Sequence, residues 1–252
     1  MRSVVLIPAR YASSRYPGKP LVPLLGKPMI LWVAELAARA VSAENVYVAT
    51  DDNRIASVVE GAGFQTVMTE KTALTGTDRL AEAAESIEAD IYINVQGDEP
   101  LVDPQDILNV RDAKAANMDQ VVNGFSWLSE SEEPSNLNIP KVITNESSRL
   151  IYMSRNPLPG FKSSENAPSR YRKQVCIYGF TRDELFAFRD FGRKSTLEHS
   201  EDIEILRFFE LRKNVLMVET KPGSLAVDVP EDVAGVEAAL LAAANSSPVV
   251  KG

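Results

Sequence analysis

The sequence predicts an α/β fold: a three-layer, mainly parallel sheet with a β-rich insertion after its middle, in one domain spanning 1–252. Two observations and one rule of sheet topology lead there. Apolar runs of strand length alternate with longer stretches of helical spacing through the first half. Parallel neighbours joined by such crossovers place helices on both faces of the sheet. Beyond Glu130 the helical periods lapse, and Pro, Ser and Asn crowd between the short apolar pieces "KVI", "RLIYMS" and "QVCIYGF".

Val4–Ile7 is an uninterrupted apolar run, the mark of a strand buried on both faces. A cationic loop follows as far as Lys19. Pro28 stands where a helix N1 proline belongs, before "MILWVAELAARA". "NVYVAT" is the second strand, and Asp51 or Asp52 caps a helix running through Glu60. "FQTVM" is a weaker third strand. A helix opening near Thr77 leads to the strand Asp90–Gln96, then to a helix Pro104–Ala116 and the strand "VVNGFSW". Lys141 to about Gly179 is the β-rich insertion, with a long loop from Pro157 to Arg172. Helices at Arg182–Arg189 and Glu198–Lys213, a strand "NVLMVE" and a last helix Pro230–Ala244 complete the fold. "NSSPVVKG" reads as a frayed tail.

Composition narrows the function. Lys plus Arg number 27 against 35 Asp plus Glu, a net charge of −8. That field argues against nucleic acid or an anionic membrane as partner, yet it permits a local cationic pocket. No apolar run reaches membrane-spanning length, and the single cysteine, Cys176, suits a reducing cytosol. The expectation is a cytoplasmic protein in which Cys176 is a buried small hydrophobe rather than a reactive thiol. The single histidine, His199, has no histidine or cysteine partner, which leaves a Ser-His-Asp hydrolase improbable.

Ligands of doubly wound sheets bind beyond the carboxyl ends of the strands, and three charged clusters fall there. The first loop has no phosphate-binding glycine motif. In its place stand Arg10, Arg15 and Lys19, whose donors suit a triphosphate and otherwise make a solvated basic loop. In "NVQGDEP" the carboxylates Asp98 and Glu99 follow a buried strand. They suit Mg²⁺, which takes one or two carboxylates plus phosphates, or they simply form a turn. In "GSLAVDVPED" Asp228 precedes the last helix, where it either meets a ligand or caps, with Asp232 competing for any functional role. "ALTGTDRL" is a helix start with Thr77 as cap, or a turn that reads a pyrimidine edge. "EGAGF" ends a helix instead of opening one, so it is a C-cap and no dinucleotide fingerprint.

Together "IPARYASSRYPGKPL", "VATDD", "TGTDRLAEA", "NVQGDEP", "IYGF", "LEHSEDIEILR" and "VDVPED" run in an order that resembles the 3-deoxy-manno-octulosonate cytidylyltransferase (CMP-Kdo synthetase) family, over nearly the whole chain. The resemblance implies a Rossmann-like nucleotidyltransferase sheet and a reaction: CTP plus an eight-carbon acid sugar gives the CMP-sugar and pyrophosphate, with Mg²⁺, for lipopolysaccharide assembly. It implies that Arg10, Arg15 and Lys19 hold the triphosphate, and that Thr75, Gly76, Thr77 and Arg79 bind the cytidine. Asp98 and Asp228 become the Mg²⁺ ligands. Gln96, Arg155, Gln174, Tyr178 and Glu204 become sugar contacts, with Arg155 on the sugar carboxylate. Lys19, Arg10 and Asp98 form the expected catalytic set, and 141–179 the dimerisation region of a homodimer.

The chain also departs from the family pattern. Gln174 stands where the family usually has histidine, Thr75 replaces a serine, Asp78 a glutamate, and "SRNPLPGF" lacks the usual tryptophan. The changes gather on the sugar side and leave Kdo and its 8-amino analogue both open as acceptors. The expected mechanism is an in-line attack of the anomeric hydroxyl on the α-phosphorus, driven by positioning and by cations near the leaving group. A nicotinamide oxidoreductase would share the alternating fold without the glycines it needs. A non-catalytic nucleotide-binding regulator would keep the cationic loop with no need of both Asp98 and Asp228.

Overall fold

The computed structural model of the protein describes residues 1–12, 16–130 and 132–246. The chain begins with β1 (Ser3–Ala9), a small hairpin β2 (Pro23–Leu24) and β3 (Lys27–Pro28), and α1 (Met29–Val41). It continues through β4 (Val46–Thr50), α2 (Asn53–Gly61), β5 (Gln65–Met68), α3 (Gly76–Ser86), β6 (Ile91–Val95), α4 (Pro104–Ala116) and β7 (Val121–Trp127). Then come β8 (Lys141–Thr144), β9 (Leu150–Ser154), β10 (Arg172–Phe180), α5 (Arg182–Asp190), α6 (Thr196–Glu201), α7 (Arg207–Glu210), β11 (Val215–Glu219) and α8 (Asp232–Ser246).

The main sheet runs in the order β11–β7–β10–β6–β1–β4–β5. β1 pairs in parallel with β4 and β6, β4 with β5, and β7 with β11, while β10 is antiparallel to both β6 and β7. All five residues of β6 are buried, as a central strand covered on both faces requires. Side chains of α1, α2 and α4 (Val33, Ile55, Ile107) cover one face with Ile7 and Ile93. Leu80 of α3, Phe188 of α5 and Phe208 of α7 cover the other with Leu6 and Tyr92. A third cluster seats Val236 and Leu240 of α8 on Leu24 and Met29. The three-layer, mainly parallel architecture is the one the alternating pattern predicts.

The details differ at five places. The stretch 141–179 divides: β8 and β9 make an outlying antiparallel hairpin, whereas β10 lies inside the main sheet. Where one helix was expected over Glu198–Lys213 there are three pieces: α6, a 3₁₀ turn Glu204–Leu206, and α7. Asp202 takes a left-handed φ of 51° and ends α6, which turns the chain so that Glu204 and Arg207 can face α3. Pro28 is the N-cap residue of α1 and not N1, and α3 is capped by Thr75 Oγ1, which accepts from the Asp78 amide, in place of Thr77. The last helix opens at Asp232, two residues after Pro230. Of the expected tail, Asn245 and Ser246 belong to α8 and 247–252 lie outside the described residues.

Candidate active site

β1 and β6 end side by side, and the chain leaving each supplies the floor of a cavity of about 340 Å³. Gly97 permits this closeness: a Cβ there would stand 2.9 Å from the Pro8 carbonyl oxygen. Arg10, Lys19, Thr75, Gly76, Arg79, Gln96, Asp98, Glu204 and Asp228 all line the cavity, so residues 10 to 228 of the chain meet where the motifs said they would. Arg15 lies outside the described residues.

Lys19 is the centre of the charged end. Gly18, at a φ of 72°, turns the chain over the Tyr11 ring, and its amide closes the loop on the Tyr11 carbonyl at 2.9 Å. The turn delivers Lys19 Nζ to 2.5 Å from Asp98 Oδ2 and 3.4 Å from Asp228 Oδ1. A backbone bond from Val227 N to the Asp98 carbonyl, 3.0 Å, clasps the two acidic loops together. Asp232 takes the capping work instead: its Oδ2 accepts from the amides of Asp228, at 2.8 Å, and Val229, at 3.0 Å. Of the two, Asp228 lines the cavity and Asp232 does not.

The opposite wall is the N-terminus of α3. Glu204 sits on it, accepting from Gly76 N at 3.2 Å, Thr77 N at 2.9 Å and Thr77 Oγ1 at 2.6 Å. A carboxylate there meets unpaired amides and the positive end of the helix. Arg79 is buried in the same wall and pairs with Asp51 at 3.0 Å, which gives the "VATDD" motif a structural part. Asp78 faces away from the cavity and binds Arg207 at 2.9 Å, while Arg207 also grips Glu198 at 2.6 Å. "LEHSEDIEILR" therefore holds two cavity residues, Asp202 and Glu204, and, behind them, two members of a buried ion triad, Glu198 and Arg207.

Arg155, Gln174 and Tyr178 stand outside this lining among the described residues. The Arg155 guanidinium donates to the carbonyls of Leu137 (2.9 Å), Asp202 (3.0 Å) and Glu201. Three of its five N–H donors are taken, leaving one on each terminal nitrogen. Gln174 Nε2 donates to the Tyr178 hydroxyl at 3.2 Å. Burial, with Cys176 next to it, pushes the Tyr178 hydroxyl well above its usual range, and Glu204 and Glu99 add to the effect. Burial, then the charge of Glu99, likewise raises the Cys176 thiol, although the residue is only partly buried and not the fully buried hydrophobe expected. Glu99 is buried and accepts from Ser224 Oγ at 2.8 Å; burial, then the charge of Asp98, lifts its pKa to about 7. Glu99 is thus a structural neighbour that braces the loop of Asp98 against the segment leading to Asp228. Lys194 and Asp202, paired at 2.9 Å, line the cavity without having been singled out in the sequence. Lys194 lies in an ordinary polar stretch before α6, and Asp202, within "LEHSEDIEILR", stands where that helix ends.

Comparison with known proteins agrees with this geometry. A family model described as cytidylyltransferase matches residues 4–215. A 3-deoxy-manno-octulosonate cytidylyltransferase of Escherichia coli is 39% identical over 233 residues, covering 91% of this chain and 92% of the relative. An 8-amino-3,8-dideoxy-manno-octulosonate cytidylyltransferase of Shewanella baltica is 37% identical over 241 residues, covering 92% and 96%. A solved CMP:2-keto-3-deoxy-manno-octonic acid synthetase complexed with CTP superposes with a TM-score of 0.89 at 37% identity, over 96% of this chain and 100% of that one. With its fold and most of its length shared with these proteins, the chain belongs to the 3-deoxy-manno-octulosonate cytidylyltransferase family of nucleotidyltransferases.

Proposed function

We propose that the protein transfers CMP from CTP to the anomeric hydroxyl of an eight-carbon 3-deoxy acid sugar, releasing pyrophosphate, with Mg²⁺ as cofactor, in cytoplasmic lipopolysaccharide biosynthesis. The observation that carries the reading is the convergence of Lys19, Asp98 and Asp228 in one cavity with the N-terminus of α3. Arg10 and Lys19 supply cations for the triphosphate, and the small residues Thr75 and Gly76 leave room for a base beside α3. Arg155 keeps two N–H donors for the sugar carboxylate while its carbonyl bonds fix the guanidinium plane.

Asp98 and Asp228 fit Mg²⁺ by the chemistry of their donors. They are two hard oxygen ligands facing one cavity, on loops tied to each other, and Mg²⁺ takes the remainder of its shell from phosphates and water. Bound there, the ion would offset phosphate charge as pyrophosphate leaves. The residues themselves hold the two anionic reactants in line and keep Lys19 beside the developing charge; no protein nucleophile is needed.

Incubation with CTP, Mg²⁺ and either Kdo or its 8-amino analogue should release pyrophosphate and give a ³¹P signal for the CMP-sugar. Chelation should stop it. Absence of pyrophosphate with both sugars would overturn the reading. Nicotinamide-linked turnover would favour an oxidoreductase, and CTP binding without turnover a regulator.

A further inference from the structure

The amide of Gln174 is oriented by a residue three strands' width from the nucleotide cavity's first loop, and the orientation has chemical content. β10 bulges against β7: Val175 pairs with Gly124, but Tyr178, where an unbroken ladder would put Cys176, pairs with Asn123. Asn123 is fully buried and bridges the bulge, its Nδ2 donating to the carbonyls of Val175 at 2.9 Å and Ile177 at 3.0 Å. Turned over, its oxygen would meet two carbonyl oxygens, so this orientation is forced.

The constraint passes on. Asn123 Oδ1 faces Gln174 at 3.1 Å and needs a donor, which makes the facing atom of Gln174 its Nε2. The second Nε2 hydrogen goes to the Tyr178 hydroxyl at 3.2 Å. Both hydrogens of Gln174 are then engaged, and Oε1 is the end left to present. Gln174 itself is partly exposed. In the antiparallel register Ile177 lies opposite Val95, so Gln174, three residues earlier, lies beyond the carboxyl end of β6, where Asp98 leaves the sheet. Gln174 and Tyr178 are not in the cavity lining, but Tyr178 is within electrostatic reach of Glu204, which is.

We propose that Asn123 is a positioning residue that sets the polarity of the acid-sugar pocket: it holds Gln174 with its carbonyl oxygen toward the substrate, so the sugar group read there is a hydrogen-bond donor at the terminal carbon. The inference rests on the octulosonate reading above. The acceptors named for the two relatives differ at that carbon, a hydroxyl in one and an amino group in the other, and both groups donate. A fixed acceptor serves both and refuses a group with no proton. A site built to hydrogen-bond a donor discriminates against an analogue lacking it because its own polar atom is left unpaired.

The test compares kcat/KM for the 8-hydroxy, 8-amino and 8-deoxy-8-fluoro octulosonates, the last matching the hydroxyl closely in size with no proton to give. The parent should favour either donor over the fluoro sugar by about 10-fold or more. In Asn123→Ala the freed amide can turn, and the preference should fall below about 3-fold while the KM for CTP is unchanged. Gln174→Met, which leaves the bulge bonds intact and guards against a folding defect in the first variant, should lose the preference equally. The double variant should lose no more than Gln174→Met alone, since Asn123 acts through Gln174. A purely structural Asn123 would lower Tm and leave the fluoro-to-hydroxy ratio where it was; that result, or a ratio unchanged in Gln174→Met, overturns the inference. No turnover of any octulosonate by the parent sinks the functional reading, whereas turnover with an undiminished preference sinks this inference alone.

Discussion

Lys19 holds its ammonium between Asp98 and Asp228, so one side chain neutralises two carboxylates and, in the function proposed above, also meets the triphosphate. Lys19→Ala should keep the fold and lose on the order of 10²-fold in turnover at saturating CTP, because a cation near the leaving group is gone. The same change leaves two carboxylates facing each other, so Mn²⁺ should bind the nucleotide-free variant more tightly than the parent, as read by the EPR signal of free Mn²⁺. Asp98→Asn and Asp228→Asn should each weaken metal binding instead. Turnover unchanged in Lys19→Ala would remove the phosphate-loop reading. At this scale the sequence was legible where a charged residue follows a strand, as with Asp98. It was ambiguous where two like residues sit four apart, as Asp228 and Asp232 do, because only the backbone decides which carboxylate turns back to cap. Asn123 was invisible in sequence, since its role depends on a bulge that no local pattern announces.

The cap of α2 was legible because capping is local chemistry, whereas the starts of α1, α3 and α8 fell one or two residues from the expected positions. Asp52 accepts from the Arg54 amide at 2.9 Å at the start of α2, and its side-chain bond to Arg54 holds its pKa down to about 2, against 3.8 ordinarily. A carboxylate whose folded pKa is depressed adds stability above the unfolded value and loses it as pH falls through the folded one. Asp52→Ala should therefore cost about 1 kcal/mol at neutral pH, the worth of a cap, and the gap to the parent should close between pH 4 and about pH 2. Urea melts of both proteins across that range check it; a pH-independent gap would mean that the lost stability is not the cap's charge. The helix expected over Glu198–Lys213 failed for a non-local reason. Nothing in "EDIEILRFFELRK" breaks a helix, yet the chain must bring Arg207 under α3, where its fork meets Asp78 and Glu198 and its plane lies 3.7 Å from the Phe188 ring centre. Arg207→Met would leave two carboxylates buried without their cation and should cost about 3–5 kcal/mol, measured by urea denaturation. A loss below about 1 kcal/mol would show that this triad does not weld α3 to α6 and α7.

The architecture of the whole molecule was legible because alternation of strand and helix leaves few topologies open, whereas β10 was misplaced because an antiparallel strand and an outlying one share the same short apolar pattern. That placement bears on assembly. β10 is paired on both sides and offers no edge, so the homodimer we predict must be made by the β8–β9 hairpin and the chain around it. Large apolar side chains stand in water there: Leu137 at 58%, Ile151 at 57% and Phe161 at 52% exposure. Arg155 ties the Leu137 carbonyl to the end of β9, so part of this surface is fixed to the sheet and not a loose loop. A rigid face with exposed apolar residues suits an isologous partner, which a second copy supplies at no change of sequence. Light scattering after size exclusion should give a mass near twice 27.6 kDa at micromolar concentration. Ile151→Glu should shift the protein toward monomer, since it puts like charges opposite each other across a two-fold axis. A monomeric parent over the whole micromolar range, or a dimer indifferent to Ile151→Glu, would place the interface elsewhere or abolish it.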